Sequence, residues 1–168
     1  MNPNGLQSPT LAFWVYWTGV SPDEQTLASL SHQGTEVLRL AIRSDSHIEA
    51  TVRESGATAV LTTPTPIHRR RWYFVGISAD APTGELGVSC TERGTSVFSV
   101  ERTQAGWNGI PRDSDTLLLG ASLENETVQN SFSGKIGGIR IFEGLLDDSD
   151  LSDLKQRAEP DGGRCEGA

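Results

Sequence analysis

Short segments in which apolar and polar residues alternate one by one, each closed off by Gly, Pro, Asp, Asn or Ser, recur along most of this chain. Successive side chains of an extended strand point to opposite faces, so this alternation marks strands with one face buried and one in water. Residues 36–44, EVLRLAIRS, set Leu38, Leu40 and Ile42 against Arg39, Ala41 and Arg43. Residues 48–53 repeat the pattern, with Ile48, Ala50 and Val52 opposing Glu49, Thr51 and Arg53. Asp45, Ser46 and His47 between them suit a tight antiparallel turn. Further strands are expected at 57–63, 72–79, 85–92, 95–102, 116–121 and 132–142, separated by turn-prone pieces such as APTG (81–84) and ERG (92–94). Hairpin-length connections without intervening helices favour an all-β antiparallel sandwich or barrel over a parallel α/β sheet.

Two strands depart from clean alternation. LAFWVYW (11–17) carries Leu11, Phe13, Val15 and Trp17 on one face and Ala12, Trp14 and Tyr16 on the other, so both faces are apolar. Such a strand is central, and its second face also needs cover, from a sugar or peptide ligand, a neighbouring domain or the chain's own loops. RWYFVGIS (71–78) raises the same question through Trp72 and Phe74. Longer connections are expected at 18–26 and 103–115, and long loops on a rigid sandwich are where binding groups tend to sit. Helical spacing appears only in LDDSDLSDLKQRA, where Asp147 or Asp148 can cap the start and Lys155 and Arg157 suit the last turn.

At 168 residues the chain suffices for one domain, expected over 11–158, with an N-terminal extension at 1–10 and a flexible tail or linker at 159–168. The formal net charge of −8 repels a phosphate backbone, and the one basic cluster, Arg69–Arg71, is a tripeptide, so nucleic acid is not an expected partner. No apolar run reaches the length of a membrane span. MNPNGLQSPT shows no signal-peptide pattern, which suits a cytoplasmic chain or a fragment of a longer one. Of the two cysteines, Cys90 falls in a strand and Cys165 in the polar tail; a reduced, buried Cys90 is the expectation.

The order LAFWVYW, TLASLS (26–31), VLRLAIRSD (37–45), TPTPIHRRRWYFVGIS (63–78), GELGVSC (84–90), TLLLGAS (116–122) and FSGKIGGIRIFEGLLDDSDLSDL (132–154) resembles the laminin G-like, concanavalin A-like lectin/glucanase superfamily. The resemblance covers about residues 11–158. It implies a curved jelly roll of two antiparallel sheets, with the closing strand near 135–142 returning beside the first. Lectins, adhesion modules, accessory domains and some glycoside hydrolases share that fold, so fold alone does not deliver function. Many members bind Ca²⁺ or carbohydrate through rim loops, and the closing strand often carries two acids where this chain has Gly137 and Gly138. The arrangement is also similar to the sandwich segment in the large subunit of dimethylformamidase-type amidases, which accompanies a separate catalytic domain.

Catalytic patterns are missing. A retaining glycosidase needs two carboxylates on one strand face, and the superfamily's E-x-D-x-E strand is absent. The dense acids Asp147, Asp148, Asp150 and Asp153 read as first-turn and surface charge of the helix. His32, His47 and His68 fall at turn-like positions, no G-x-S-x-G elbow occurs, and no His or Cys pair has zinc-ligand spacing. Asp113 and Asp115 share a loop with Asn108 and offer the hard oxygen donors that calcium takes; a solvated turn is the competing reading. Sugar sites join a flat aromatic face to nearby polar groups, which makes Trp107 beside Asn108, and the outward pair Trp14 and Tyr16, the candidate contacts. Trp107 folded back as a loop anchor is the alternative. Asn125 is a further candidate and also heads an N-glycosylation triplet, Asn125-Glu126-Thr127. The expected function is a non-catalytic recognition module for carbohydrate or protein. An accessory or assembly domain of a larger hydrolase is the alternative, and a glycoside hydrolase in its own right comes last.

Overall fold

A computed structural model describes residues 8–19, 23–54, 57–95, 100–104, 116–124, 127–144 and 146–157. Twelve strands and one helix are assigned: β1 (Pro9–Trp17), β2 (Gln25–His32), β3 (Thr35–Ile42), β4 (Ile48–Glu54), β5 (Ala57–Thr62), β6 (Trp72–Asp80), β7 (Glu85–Glu92), β8 (Val100–Gln104), β9 (Thr116–Leu119), β10 (Ser122–Glu124), β11 (Thr127–Gln129), β12 (Gly134–Glu143) and α1 (Asp148–Arg157). They form one five-stranded sheet in the order β12-β1-β6-β7-β8, a second in the order β5-β4-β3-β2-β9, and the small hairpin β10-β11. All strand pairings within these sheets are antiparallel. The fold is therefore the two-sheet jelly-roll sandwich that the alternation and the resemblance imply, with the closing strand beside the first.

The core sits between the sheets, built from alternate residues of facing strands. Leu11, Phe13, Val15 and Trp17 of β1 and Tyr73, Val75 and Ile77 of β6 meet Leu38, Leu40 and Ile42 of β3 and Ile48, Ala50 and Val52 of β4. Each fully buried aliphatic or aromatic side chain contributes about 1.5–3 kcal/mol over leaving it in water, and this layer is the main support of the fold.

Turns follow local chemistry. Gln33 and Gly34 link β2 to β3 with φ of 49° and 73°, the two positive values a two-residue type I′ hairpin needs. Ser46, at φ 69°, turns β3 into β4, and the His47 N–H donates to Asp45 Oδ1 at 3.3 Å. In β12 the register slips: Ala12 faces Arg140 but Trp14 faces Gly137. Gly138 takes φ 62° inside this bulge, where a side chain would be strained. At Gly134 a Cβ would stand 2.1 Å from the Tyr16 carbonyl oxygen, so only glycine lets β12 pair with β1 there.

Several boundaries differ from the sequence reading. The stretch 18–26 is not all loop, since β2 starts at Gln25; bulges between Thr26 and Ala28 and between Leu30 and Ser31 break its alternation. β1 begins at Pro9, inside the expected extension, and β8 spans Val100–Gln104 rather than 95–102, with 96–99 outside the described residues. The three-residue strands β10 and β11 are too short to show any period.

Candidate functional site

The outer face of the first sheet is where the doubly apolar strands lead. Trp14 and Phe74 are fully buried there, their ring centroids 5.4 Å apart and tilted by 57°. They join Ala12 and Leu151 in a second, smaller apolar cluster, with Leu146 and Leu154 packed against it. The cover over Trp14 is thus the chain's own C-terminal helix. Asp147 caps α1 through a 2.8 Å bond accepted from the Asp150 N–H, and that bond, with one from Ser149, holds its carboxyl below the usual carboxylate range. Arg102 bridges Glu85 at 3.3 Å and Asp148 at 2.9 Å, and the Lys155 ammonium donates to the Thr95 carbonyl oxygen.

Beyond the cluster under α1 the same face carries a second aromatic pair. Tyr16 and Trp72, both half-buried, lie 5.5 Å apart with an interplanar angle of 51°. Lys135 of β12 holds its ammonium 5.9 Å from the Tyr16 ring centroid. Tyr16 pairs in register with Trp72 on one side and Lys135 on the other, so the sheet itself fixes this aromatic corner. Around the back Arg69 stacks over Trp17 at 5.9 Å, and Arg71 pairs with Glu92 at 2.8 Å. The basic tripeptide is a turn beside the sheet end.

The outer face of the second sheet is charged and internally neutralised. Arg39, on β3, reaches Glu24, Glu36 at 3.5 Å and Glu49 at 3.9 Å; Arg43 reaches Glu49 at 3.3 Å and Arg53 reaches Glu36 at 2.5 Å. Each of these acids is committed to a guanidinium. A glycosidase instead sets one carboxyl in an apolar pocket so that it stays protonated.

Of the candidate residues, Trp14 and Tyr16 share one face, the first sealed under α1 and the second at the open corner. Trp72 completes the corner; its signal was the second aromatic strand, RWYFVGIS. Trp107, Asn108, Asn125, Asp113 and Asp115 lie outside the described residues. Gly137 pairs with Trp14 and Gly138 stands in the bulge beyond it; neither carries a ligand atom beyond backbone, so a family-type calcium site at the closing strand does not fit this chain. Among the described residues no group of three or more His, Cys, Asp or Glu side chains is placed to hold a metal. No helix among them is long and apolar enough to cross a membrane.

Solved structures of similar shape are numerous. The carbohydrate-binding module CBM40 of the Ruminococcus gnavus IT-sialidase, bound to α2,3-sialyllactose, aligns with a TM-score of 0.69 at 15% identity, over 89% of this chain and 83% of that one. A putative carbohydrate binding protein from Bacteroides ovatus ATCC 8483 aligns with a TM-score of 0.67 at 18% identity, over 90% of this chain and 42% of that one. The LG1-3 region of the laminin alpha2 chain aligns with a TM-score of 0.64 at 14% identity, over 81% of this chain and 27% of that one. Identities this low speak for the fold alone. No curated protein matches the sequence. The family model of the laminin G-like group matches residues 2–152, nearly the whole length, and the chain therefore belongs to the concanavalin A-like lectin/glucanases superfamily.

Proposed function

We propose that this domain is a non-catalytic recognition module that binds a glycan at the Tyr16–Trp72 corner; Trp107 and Asn108, which follow β8 where it leaves the sheet at the end away from that corner, are proposed as contacts of a separate rim. The observation that carries this reading is the half-buried aromatic pair at 5.5 Å, fixed by sheet register and flanked by a lysine. Sugar rings stack an apolar face on such a pair and leave hydroxyls for polar neighbours. One of the similar structures is bound to α2,3-sialyllactose and another is a putative carbohydrate binding protein, which supports the ligand class.

A glycan array spanning neutral and sialylated oligosaccharides tests it, run with calcium and with chelator. Tyr16→Ala and Trp72→Ala are expected to keep the fold by circular dichroism and each weaken binding about tenfold or more, equivalent to about 1.4 kcal/mol, and Trp107→Ala tests the separate rim by the same measure. Loss of binding in chelator, reproduced by Asp113→Ala with Asp115→Ala, assigns calcium to their loop. A wild-type domain that retains nothing across the array rejects the reading, and turnover of a β-glucan rejects its non-catalytic part.

A second reading has its own observation. Leu117 and Leu119 of β9 are each 39% exposed, and Ile141 of β12 is 54% exposed, although their registered partners Leu30, Ala28 and Leu11 lie in the core. This apolar edge between the sheets suits an accessory domain docked on a larger hydrolase. Leu119→Lys with Ile141→Lys is then expected to release the domain from that catalytic chain without unfolding it.

A further inference from the structure

What α1 covers is not built like a permanent core. Trp14, Ser89 and Thr91 are buried on the outward rows of the first sheet, and Trp14 Nε1, Ser89 Oγ and Thr91 Oγ1 find no hydrogen-bond partner among the described residues. Unpaired polar atoms this deep are uncommon and costly, so three on one face call for a physical reason. Of the three, Ser89 lines a narrow space beneath Leu151 whose floor also includes Gly76, Ser78 and Gly87.

The floor has a regular pattern. Gly76 faces Ser89 and Ser78 faces Gly87 across β6 and β7. A Cβ on Gly76 would lie 2.7 Å from Ser89 Oγ, and one on Gly87 would lie 2.6 Å from Ser78 Oγ, so the hydroxyls occupy the room that the glycines leave. Next to this floor come Trp14 and Phe74, then Tyr16 and Trp72, two aromatic pairs at alternate positions of neighbouring strands and so about 7 Å apart along them. The result is a continuous rail, with Leu151 of α1 over Trp14 and the glycine–serine floor and the half-buried Tyr16–Trp72 pair at one end.

We propose that α1 is a displaceable cover, and that the rail beneath it binds an extended, uncharged glycan chain; this rests on the glycan reading of the Tyr16–Trp72 corner. Successive sugar rings stack on the two aromatic pairs, and their hydroxyls pair with the indole N–H and the two orphan hydroxyls. The ligand is uncharged because the central strands of the rail, Ala12 to Tyr16 of β1 and Trp72 to Ser78 of β6, carry no formal charge. Charges stand along its margin on β12, with Lys135 beside Tyr16 and Arg140 beside Ala12, and at its far end, with Asp80, Glu85 and Arg102. Asp80 there is held by Ser8 and Thr83, and Arg102 by Glu85 and Asp148.

The cover is lightly fastened. Leu151 is its one buried apolar side chain, Leu146 and Leu154 are half-buried, Asp148 and Lys155 tie it to Arg102 and to the Thr95 carbonyl, and Asp150 and Asp153 face solvent. Its apolar contacts belong to the small outer cluster, so lifting it leaves the core between the sheets intact. Helix and ligand compete for one face, and apparent affinity falls by the fraction of molecules in which the face is open.

The test uses the full chain and neutral oligosaccharides of two lengths, disaccharides and hexasaccharides of the cello, laminari, xylo and manno series. A disaccharide reaches only the open corner, so loosening α1 by Leu151→Ala leaves its affinity unchanged. The best hexasaccharide is expected to bind Leu151→Ala at least fivefold more tightly than wild type, to speed amide exchange in residues 148–157 of the wild type, and to shift the Trp14 indole N–H resonance. Trp14→Phe in the Leu151→Ala background keeps the stacking surface and removes that donor, and is expected to erase most of the gain. Lys155→Ala, which releases α1 from Thr95 and keeps Leu151, is expected to give the same gain and stands in should Leu151→Ala lose its near-ultraviolet signal. Disaccharide binding without any hexasaccharide gain in a variant whose α1 exchanges faster overturns the cover and leaves the corner standing. Failure of every sugar to bind wild type and loosened variants alike overturns both.

Discussion

Asp80, buried at the end of β6, fastens three parts of the chain with one carboxylate. Its Oδ1 accepts from the Ser8 hydroxyl, and its Oδ2 accepts from the Thr83 hydroxyl at 2.6 Å and the Thr83 N–H at 3.2 Å. These bonds, that from Ser8 first, hold the carboxyl below its ordinary range. The direction sets the pH dependence. A lowered folded-state value means the contribution is complete above the unfolded value, near 3.9, and drains away as pH falls through the folded one. Asp80→Asn should therefore cost about 1–3 kcal/mol at neutral pH, the range for a hydrogen bond to a charged group. The gap between wild type and variant should close in urea titrations run below about pH 4. A gap that does not narrow at all between pH 5 and pH 3 would show that the packing of Asp80, and not its charge, is what matters.

α1 is ten residues long, too short to be stable alone, so its order depends on its cap and on the small cluster it covers. Asp147→Ala is expected to raise amide exchange in residues 148–157 while leaving the melting temperature of the sandwich nearly unchanged. Acid should act likewise on the wild type: Asp147 titrates below its ordinary value, so the cap weakens as pH falls from the free carboxylate range through that lowered one. Protection factors, taken against the intrinsic exchange rate at each pH and measured at pH 6 and pH 3, check both. Elements differ in how plainly the sequence announces them, and the reason is local. β3 and β4 alternate without a break, and Leu38, Leu40, Ile42, Ile48, Ala50 and Val52 all lie in the core they imply. β2 is disguised by two bulges, and β10 and β11 are shorter than one clear period. The cap was legible to within one residue, and the Asp150 N–H settles it on Asp147. That Trp14 needs cover was legible from the two-faced strand; which element supplies it was not, because Leu151 lies far along the chain and carries no local mark of its partner. Tyr16 and Trp72 were each visible as aromatics, whereas their pairing at 5.5 Å is a product of β1–β6 register.

Across the whole molecule the first sheet separates two apolar compartments, the large core inside and the small cluster under α1, and Cys90 distinguishes their opening. Cys90 is free, faces Val75 in register and packs against the inner core, where burial pushes its thiol up to about 12. Tyr73, on the adjacent strand, is likewise raised, chiefly by burial. Both groups are thus held neutral by the folded state, so their contribution is complete below the unfolded values and is lost as pH climbs through the folded ones. Stability should accordingly decline above about pH 9, beginning with the unfolded cysteine. At pH 8 about one thiol in ten thousand is ionised at a value of 12, and the thiolate is the reactive form. In a Cys165→Ser background, iodoacetamide should then modify native Cys90 at least a thousandfold more slowly than it modifies a free thiol. Leu151→Ala, which loosens only the outer cluster, should not speed that reaction, whereas urea should speed it in step with global unfolding. If Leu151→Ala exposes Cys90, the two compartments open together, and α1 is a structural part of the sandwich and not a cover upon it.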